Sequence, residues 1–116
     1  MNPQTQPLLD ALNACVAIRE QCTASCQHEP DPTAAAQHSV LDRDTADICA
    51  LPARFVPRDS AYAPPLLALC ADVCQSYADE AGAHNGLLAS HCQPCISAWH
   101  RCEQVCRAAL ASTLPV

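Results

Sequence analysis

The chain has 116 residues, half of them apolar, a net charge of −6, and six cations that are all arginine. That length suits one small domain, residues 1–116, with enough apolar content for a core. The chain offers no basic patch to neutralise phosphates, so nucleic acid is not an expected partner, and no apolar run approaches the roughly 20 residues that span a bilayer.

The elements follow in chain order. A first helix is predicted over about 7–28, where Pro7 fits a first helical turn and Leu8, Leu9, Leu12, Val16 and Ile18 supply apolar positions. The stretch MNPQTQPLLDALNACVAIRE has neither a charged n-region nor a compact apolar h-region, so it does not read as a signal peptide and a cytoplasmic location is expected. HEPDP then breaks the helix, and Asp31 followed by Pro32 reads as an N-cap and an N1 proline. The second helix should run over about 33–51, with Pro52 ending or kinking it. Residues 52–64 form the longest connector. A third helix is expected over 65–82, then a turn at His84-Asn85-Gly86. The fourth should cover 90–111, with Ser90 as N-cap and Pro94 still in the first turn. Abundant alanine, two glycines and only four aromatics (Phe55, Tyr62, Tyr77, Trp99) favour helices over a sheet. Four helices with short links predict an all-α fold, an antiparallel four-helix bundle with a cysteine-lined core.

Ten cysteines are the outstanding feature. At this density a secreted chain would read as a disulfide framework, whereas a chain without an export signal reads better as a metal binder. Cys15, Cys22 and Cys26 are spaced 0, 7, 11, and so are Cys95, Cys102 and Cys106. On a helix those offsets fall within roughly 40° of one another. Offset 4 completes the face, and Cys70 and Cys74 occupy offsets 0 and 4 of the third helix. The second helix fits as His38, Asp42, Thr45, Cys49, and Trp99 stands where the fourth-helix stripe would place another thiol.

Three readings of the stripes compete. Cysteine packs as a small hydrophobe, but ten in register is more than ordinary core usage. Disulfides would have to cross between helices, because cysteines four apart on one helix point the same way and bridge poorly. Metal–thiolate chemistry fits best, since soft thiolates select Cu(I), zinc or iron–sulfur clusters. Zinc wants a closed tetrahedron, which pairs on one helix wall do not readily make, whereas Cu(I) accepts two or three sulfurs. Several Cu(I) ions are therefore the favoured ligand. Among the histidines, His38 lies on the stripe as a candidate ligand, His28 and His91 flank a bundle end, His84 belongs to a turn, and His100 to a solvated face. No carboxylate pair or glycine-rich phosphate loop suggests an enzyme, and one Cys–His pair among so many thiols is a weak catalytic signal.

Three stretches, DRDTADICALPARF (42–55), LCADVCQSYADEAGAH (69–84) and HCQPCISAWHRCEQVCRA (91–108), resemble the cysteine-rich four-helix-bundle copper storage proteins. The resemblance covers about Cys15 to Ala108. It implies Cu(I) storage or buffering by Cys15, Cys22, Cys26, Cys49, Cys70, Cys74, Cys92, Cys95, Cys102 and Cys106. It also implies a homo-oligomer, dimer or tetramer, and a copper donor or acceptor protein as partner. Cysteine is typical of that family at the positions of Thr45, Tyr77, Ala81 and Trp99, and often at those of Arg19 and His38, so a lower capacity is expected. The alternatives are an iron–sulfur or other metal-cluster electron-transfer protein, and a disulfide-stapled structural or interaction domain.

With the stripes at equal depth, one end layer would hold Cys15, Cys49, Cys70 and Cys106. The next would hold Arg19, Thr45, Cys74 and Cys102, and the third Cys22, Asp42, Tyr77 and Trp99. Cys26, His38, Ala81 and Cys95 would make the far end, with Cys92 and His91 nearby. Six cysteines would then cluster at one end, and Tyr77 and Trp99 would fill the middle.

Overall fold

A computed structural model of the protein describes the backbone of residues 5–26, 32–83 and 87–113, and the side chains of 5–18, 33, 36, 40, 43–80 and 94–112. Four helices account for nearly all of it: α1 Thr5–Cys26, α2 Pro32–Phe55, α3 Ala63–Ala83 and α4 Leu87–Thr113. Each helix packs on its two neighbours in a ring, α1 on α2 and α4, and α3 on α2 and α4. The result is an antiparallel four-helix bundle with extents of 50 × 22 × 19 Å. None of the described helices is long and apolar enough to cross a membrane.

Each helix turns a narrow stripe of small residues inward. The buried positions are Leu8, Ala11, Leu12 and Cys15 on α1, and Thr45, Ala46, Cys49 and Pro52 on α2. On α3 they are Ala63, Leu67, Cys70, Ala71, Cys74 and Ala78, and on α4 Cys95, Ile96, Trp99, Cys102, Cys106 and Ala109. These recur at three- and four-residue spacing, which keeps one face of a helix on the core. Trp99 is the largest side chain in that core and is 0% exposed.

Two prolines behave differently from the sequence-based expectation. α2 does not stop at Pro52 but continues to Phe55, with the Pro52 ring buried. Proline removes one backbone N–H and crowds the preceding turn. Here the helix has less than a turn left to run, and burial of the ring offsets part of that loss. Pro94 lies well inside α4, not in its first turn, because α4 already begins at Leu87. The Pro94 ring is exposed.

The expected connector over 52–64 is largely helical. A 3₁₀ turn, Val56–Arg58, follows α2 directly, and Asp59 ends it in the left-handed region at φ 52°, ψ 37°. Asp is one of the few residues that adopts this conformation readily. Its N–H donates to Val56 O at 3.1 Å, Ser60 N–H donates to Phe55 O at 3.3 Å, and Tyr62 N–H donates to Ser60 Oγ at 3.1 Å. These bonds reverse the chain into α3. The expected turn at 84–86 lies outside the described residues.

Outer contacts between helices are polar. Arg107 donates to Asp72 Oδ1 at 3.2 Å and Gln75 Oε1 at 3.0 Å, and pairs with Glu103 on its own helix, linking α4 to α3. Exposed pairs of this kind contribute at most about 1 kcal/mol each. The bundle therefore rests on its core, where the thiols pack among leucine, isoleucine, alanine and tryptophan side chains. The reduced, metal-free chain should give a strongly helical far-UV circular dichroism spectrum. Trp99→Ala should cost about 3–5 kcal/mol in denaturant unfolding of the same form, the range for truncating a buried aromatic.

Candidate metal centre

Six cysteines from four helices meet in the core: Cys15 from α1, Cys49 from α2, Cys70 and Cys74 from α3, Cys102 and Cys106 from α4. All six are free thiols and all are 0% exposed. Cys49 is their hub, with its Sγ 3.4 Å from Cys70, 3.8 Å from Cys102 and 3.9 Å from Cys74. Cys70 and Cys102 are 3.7 Å apart, and Cys102 and Cys106, one turn apart on α4, are 4.0 Å apart. Such spacings are contacts between thiols, far longer than the roughly 2.05 Å of a disulfide. Two groups stand out: Cys15, Cys49, Cys74 and Cys102 have sulfurs all within 4.8 Å of one another, and so do Cys70, Cys102 and Cys106.

The neighbourhood of the cluster is apolar, with one polar boundary. On the side of Cys70 and Cys106, the next inward residues are Leu67 and Ala109, with Leu8 and Ala63 also buried at that end of the bundle. On the other side Trp99 lies one turn before Cys102, and its indole Nε1–H donates to Thr45 Oγ1 at 3.0 Å. Thr45 is 0% exposed and sits one turn before Cys49 on α2. Cys15 Sγ donates to the carbonyl of Ala98 at 3.3 Å, which sets its depth just beside that boundary.

Without metal the thiols share their protons unevenly. Hydrogen bonding with Cys102, reinforced by Cys15 and by burial, pushes the Cys49 thiol far above the ordinary range. Cys70 is raised chiefly by Cys102 and Cys106, and Cys106 chiefly by Cys102. Cys74 goes the other way, because Cys102, Cys15, Cys49 and Cys70 all stabilise its ionised form. A neutral S–H packs in a dry core at little cost, whereas a lone thiolate there needs donors around it. The cluster can therefore form a core as thiols and become a ligand set when a cation replaces the protons.

A sequence profile described as Copper storage protein matches residues 1–111. The chain belongs to the copper storage protein family. A curated relative, the uncharacterized cysteine-rich protein YhjQ of Bacillus subtilis (strain 168), is 32% identical over 116 residues, 96% of this chain and 100% of that protein. Among solved structures, the Cu(I)-bound copper storage protein BsCsp3 superposes with a TM-score of 0.77 at 31% identity, covering 90% of this chain and 96% of that one. Apo-Csp3 from Bacillus subtilis gives the same TM-score and identity over 91% of this chain and 98% of its own.

Several sequence-based placements differ from the bundle of this family member. Cys49 does not sit in a flat layer with Cys15, Cys70 and Cys106 but contacts both the Cys70 and the Cys74–Cys102 levels. Trp99 fills the core beside the cluster as expected, but Tyr77 does not face it. Tyr77 is half-buried at the bundle edge, where its hydroxyl donates to Asp44 Oδ2 at 2.7 Å, and Ala78 turns inward instead. A rotation of α3 by roughly 40°, less than half of one residue's 100° step, turns Ala78 inward and Tyr77 to the edge while Cys70 and Cys74 stay in the core. Thr45, not Tyr77, is the partner of Trp99, and its place on the α2 stripe was the available signal. His100 is exposed. Cys95 is buried but disulfide-bonded, its partner lying outside the described residues, and in that state it offers no thiolate. The side chains of Arg19, Cys22, Cys26, His38, Asp42, His91 and Cys92 lie outside the described residues.

The proton distribution predicts a pH dependence. A thiol whose folded pKa is raised holds its proton when the unfolded chain, with thiols near 8.5, has lost it. The stability it contributes is fully present below that value and is lost as pH rises above it. Cys49, Cys70, Cys102 and Cys106 are raised and Cys74 alone is lowered, so the four outweigh the one. The melting temperature of the reduced, metal-free protein should fall as pH increases from 7.5 to 10, measured by circular dichroism with reductant present.

Proposed function

We propose that this chain stores or buffers Cu(I) as several ions per molecule on the thiolates of its core. The observation that carries the reading is the set of six buried, free thiols from four helices with neighbouring sulfurs 3.4–4.0 Å apart. Three-coordinate Cu(I) with bonds of about 2.3 Å wants its sulfurs about 4.0 Å apart, so the thiols stand near ligand spacing before any metal arrives. Six thiolates that each bridge two ions complete the coordination of about four three-coordinate Cu(I) ions. The Cu(I)-bound state of the similar BsCsp3 supports the choice of metal.

The same reading assigns a capacity below that of a bundle lined with cysteine throughout. Trp99 and Thr45 fill the level next to the cluster with an indole and its hydrogen-bond partner, where two more thiols would extend the ligand row. Cys22, Cys26 and Cys92, with Cys95 once reduced and His38 as a further candidate, complete the proposed ligand set. Buried thiols must remain reduced to bind, which suits a cytoplasmic location. A homo-oligomer is also part of the proposal, with exposed Leu51, Tyr62 and Leu69 on or beside α2 and α3 available for a subunit contact. The function is storage, not catalysis, with a copper donor or acceptor protein as partner.

An iron–sulfur cluster fits the geometry less well. Its thiolates bind the outside of an inorganic core several atoms across, whereas these sulfurs already touch one another. Among the described residues the disulfide-stapled reading is met only at Cys95, since the six cluster cysteines are free.

Anaerobic titration of the reduced protein with Cu(I) against a competing chelator should show several tightly held equivalents per chain, with binding strengthening as pH rises because each thiol gives up a proton. Saturation at one equivalent or none would sink the storage reading. Trp99→Cys should increase the number of equivalents bound, and an unchanged number would show that the indole does not limit capacity.

A further inference from the structure

We propose that Cys15, Cys49, Cys74 and Cys102 form a closed tetrahedral site for one zinc(II) ion per chain, which Cu(I) displaces. The proposal uses the same thiols as the copper reading but does not depend on copper. Pairs along one helix wall close a tetrahedron poorly. The bundle avoids that difficulty by taking one sulfur from each of its four helices. The four sulfurs lie within 4.8 Å of one another, and Cys49 is 3.9 Å from Cys74 and 3.8 Å from Cys102. Zinc–thiolate bonds of about 2.3 Å place tetrahedral sulfurs about 3.8 Å apart. The ligands therefore need to move inward only slightly.

The surroundings decide which kind of zinc site this is. All four thiols are fully buried, so no solvent-exposed fourth position remains for water, and the site is of the structural kind. Zinc binding displaces the protons still held by the set and leaves four thiolates around a divalent ion, with a net charge of −2. Backbone N–H groups within the helices are already used by the helical ladder. Zinc is consequently held less tightly than on turns that aim N–H groups at sulfur, and Cu(I), which shares the charge of bridging thiolates among several ions, replaces it. Cys70 and Cys106 take no part and stay as thiols in the zinc form. One ion at this level ties all four helices together when copper is scarce.

Cobalt(II) reports on the site, since its tetrahedral thiolate complexes absorb strongly in the visible and its octahedral ones hardly at all. Anaerobic titration of the reduced full chain should develop the tetrahedral, four-sulfur spectrum up to one equivalent. One equivalent of zinc should bleach it and Cu(I) should expel the ion. Cys49→Ser should weaken cobalt binding by at least about tenfold, while Cys106→Ser should leave the four-sulfur spectrum in place. Circular dichroism checks that each variant is folded, and the wild-type stoichiometry and spectrum test the proposal even if Cys49→Ser is not. A faint octahedral spectrum overturns the zinc site, as does uptake beyond one equivalent or a loss in Cys106→Ser equal to that in Cys49→Ser. Copper titration of the same preparation separates the two readings: several equivalents of Cu(I) without the cobalt spectrum reject zinc alone. The cobalt spectrum with copper saturating at one equivalent rejects storage alone.

Discussion

Everything in this bundle depends on sulfur facing sulfur across the axis. Cys49 on α2 touches thiols of both α3 and α4, and Cys15 closes the group from α1. A thiol is small, so helices that meet through thiols and alanines approach closely. It is also nearly apolar when protonated, so the same side chains form a packed core without metal. The electrostatics follow from that contact. Each thiolate is destabilised by burial and stabilised only by neighbouring S–H donors, which leaves most of the cluster protonated until a cation takes the place of the protons.

The two ends of the cluster explain how a storage core can be bounded. Leu8, Leu67 and Ala109 cover one side, and the Trp99–Thr45 pair covers the other. Trp99 brings volume and needs a partner for its N–H, and Thr45 supplies one at the matching depth on α2. Together the two residues fill that level of the core with an indole and its hydrogen-bond partner. With the thiols 0% exposed, an ion reaches them only through opening of the helices or movement of these boundary side chains.

Much of the architecture was legible before the fold was known. The 0, 7, 11 spacing of Cys95, Cys102 and Cys106, with Cys70 and Cys74 at 0 and 4, specified faces of helices, because the angular position of a residue on a helix follows from its number alone. The scarcity of glycine and the prolines near helix starts marked the segments, and α2 begins at Pro32 as read. The proline at 52 misled, since its cost depends on how much helix follows and on whether its ring finds a buried place.

What the sequence determined by itself is therefore which residues share a face: the thiol stripes, their interruption by Trp99 on α4, and the four-helix arrangement that buries them. Tertiary structure alone decided how the faces meet. The rotation that puts Ala78 inward and Tyr77 at the edge, the depth at which Thr45 meets Trp99, the central place of Cys49 and the disulfide at Cys95 all depend on axial slide and rotation between helices. Those two quantities are set by side-chain volumes fitting across an interface, and spacing along a single helix carries no record of them.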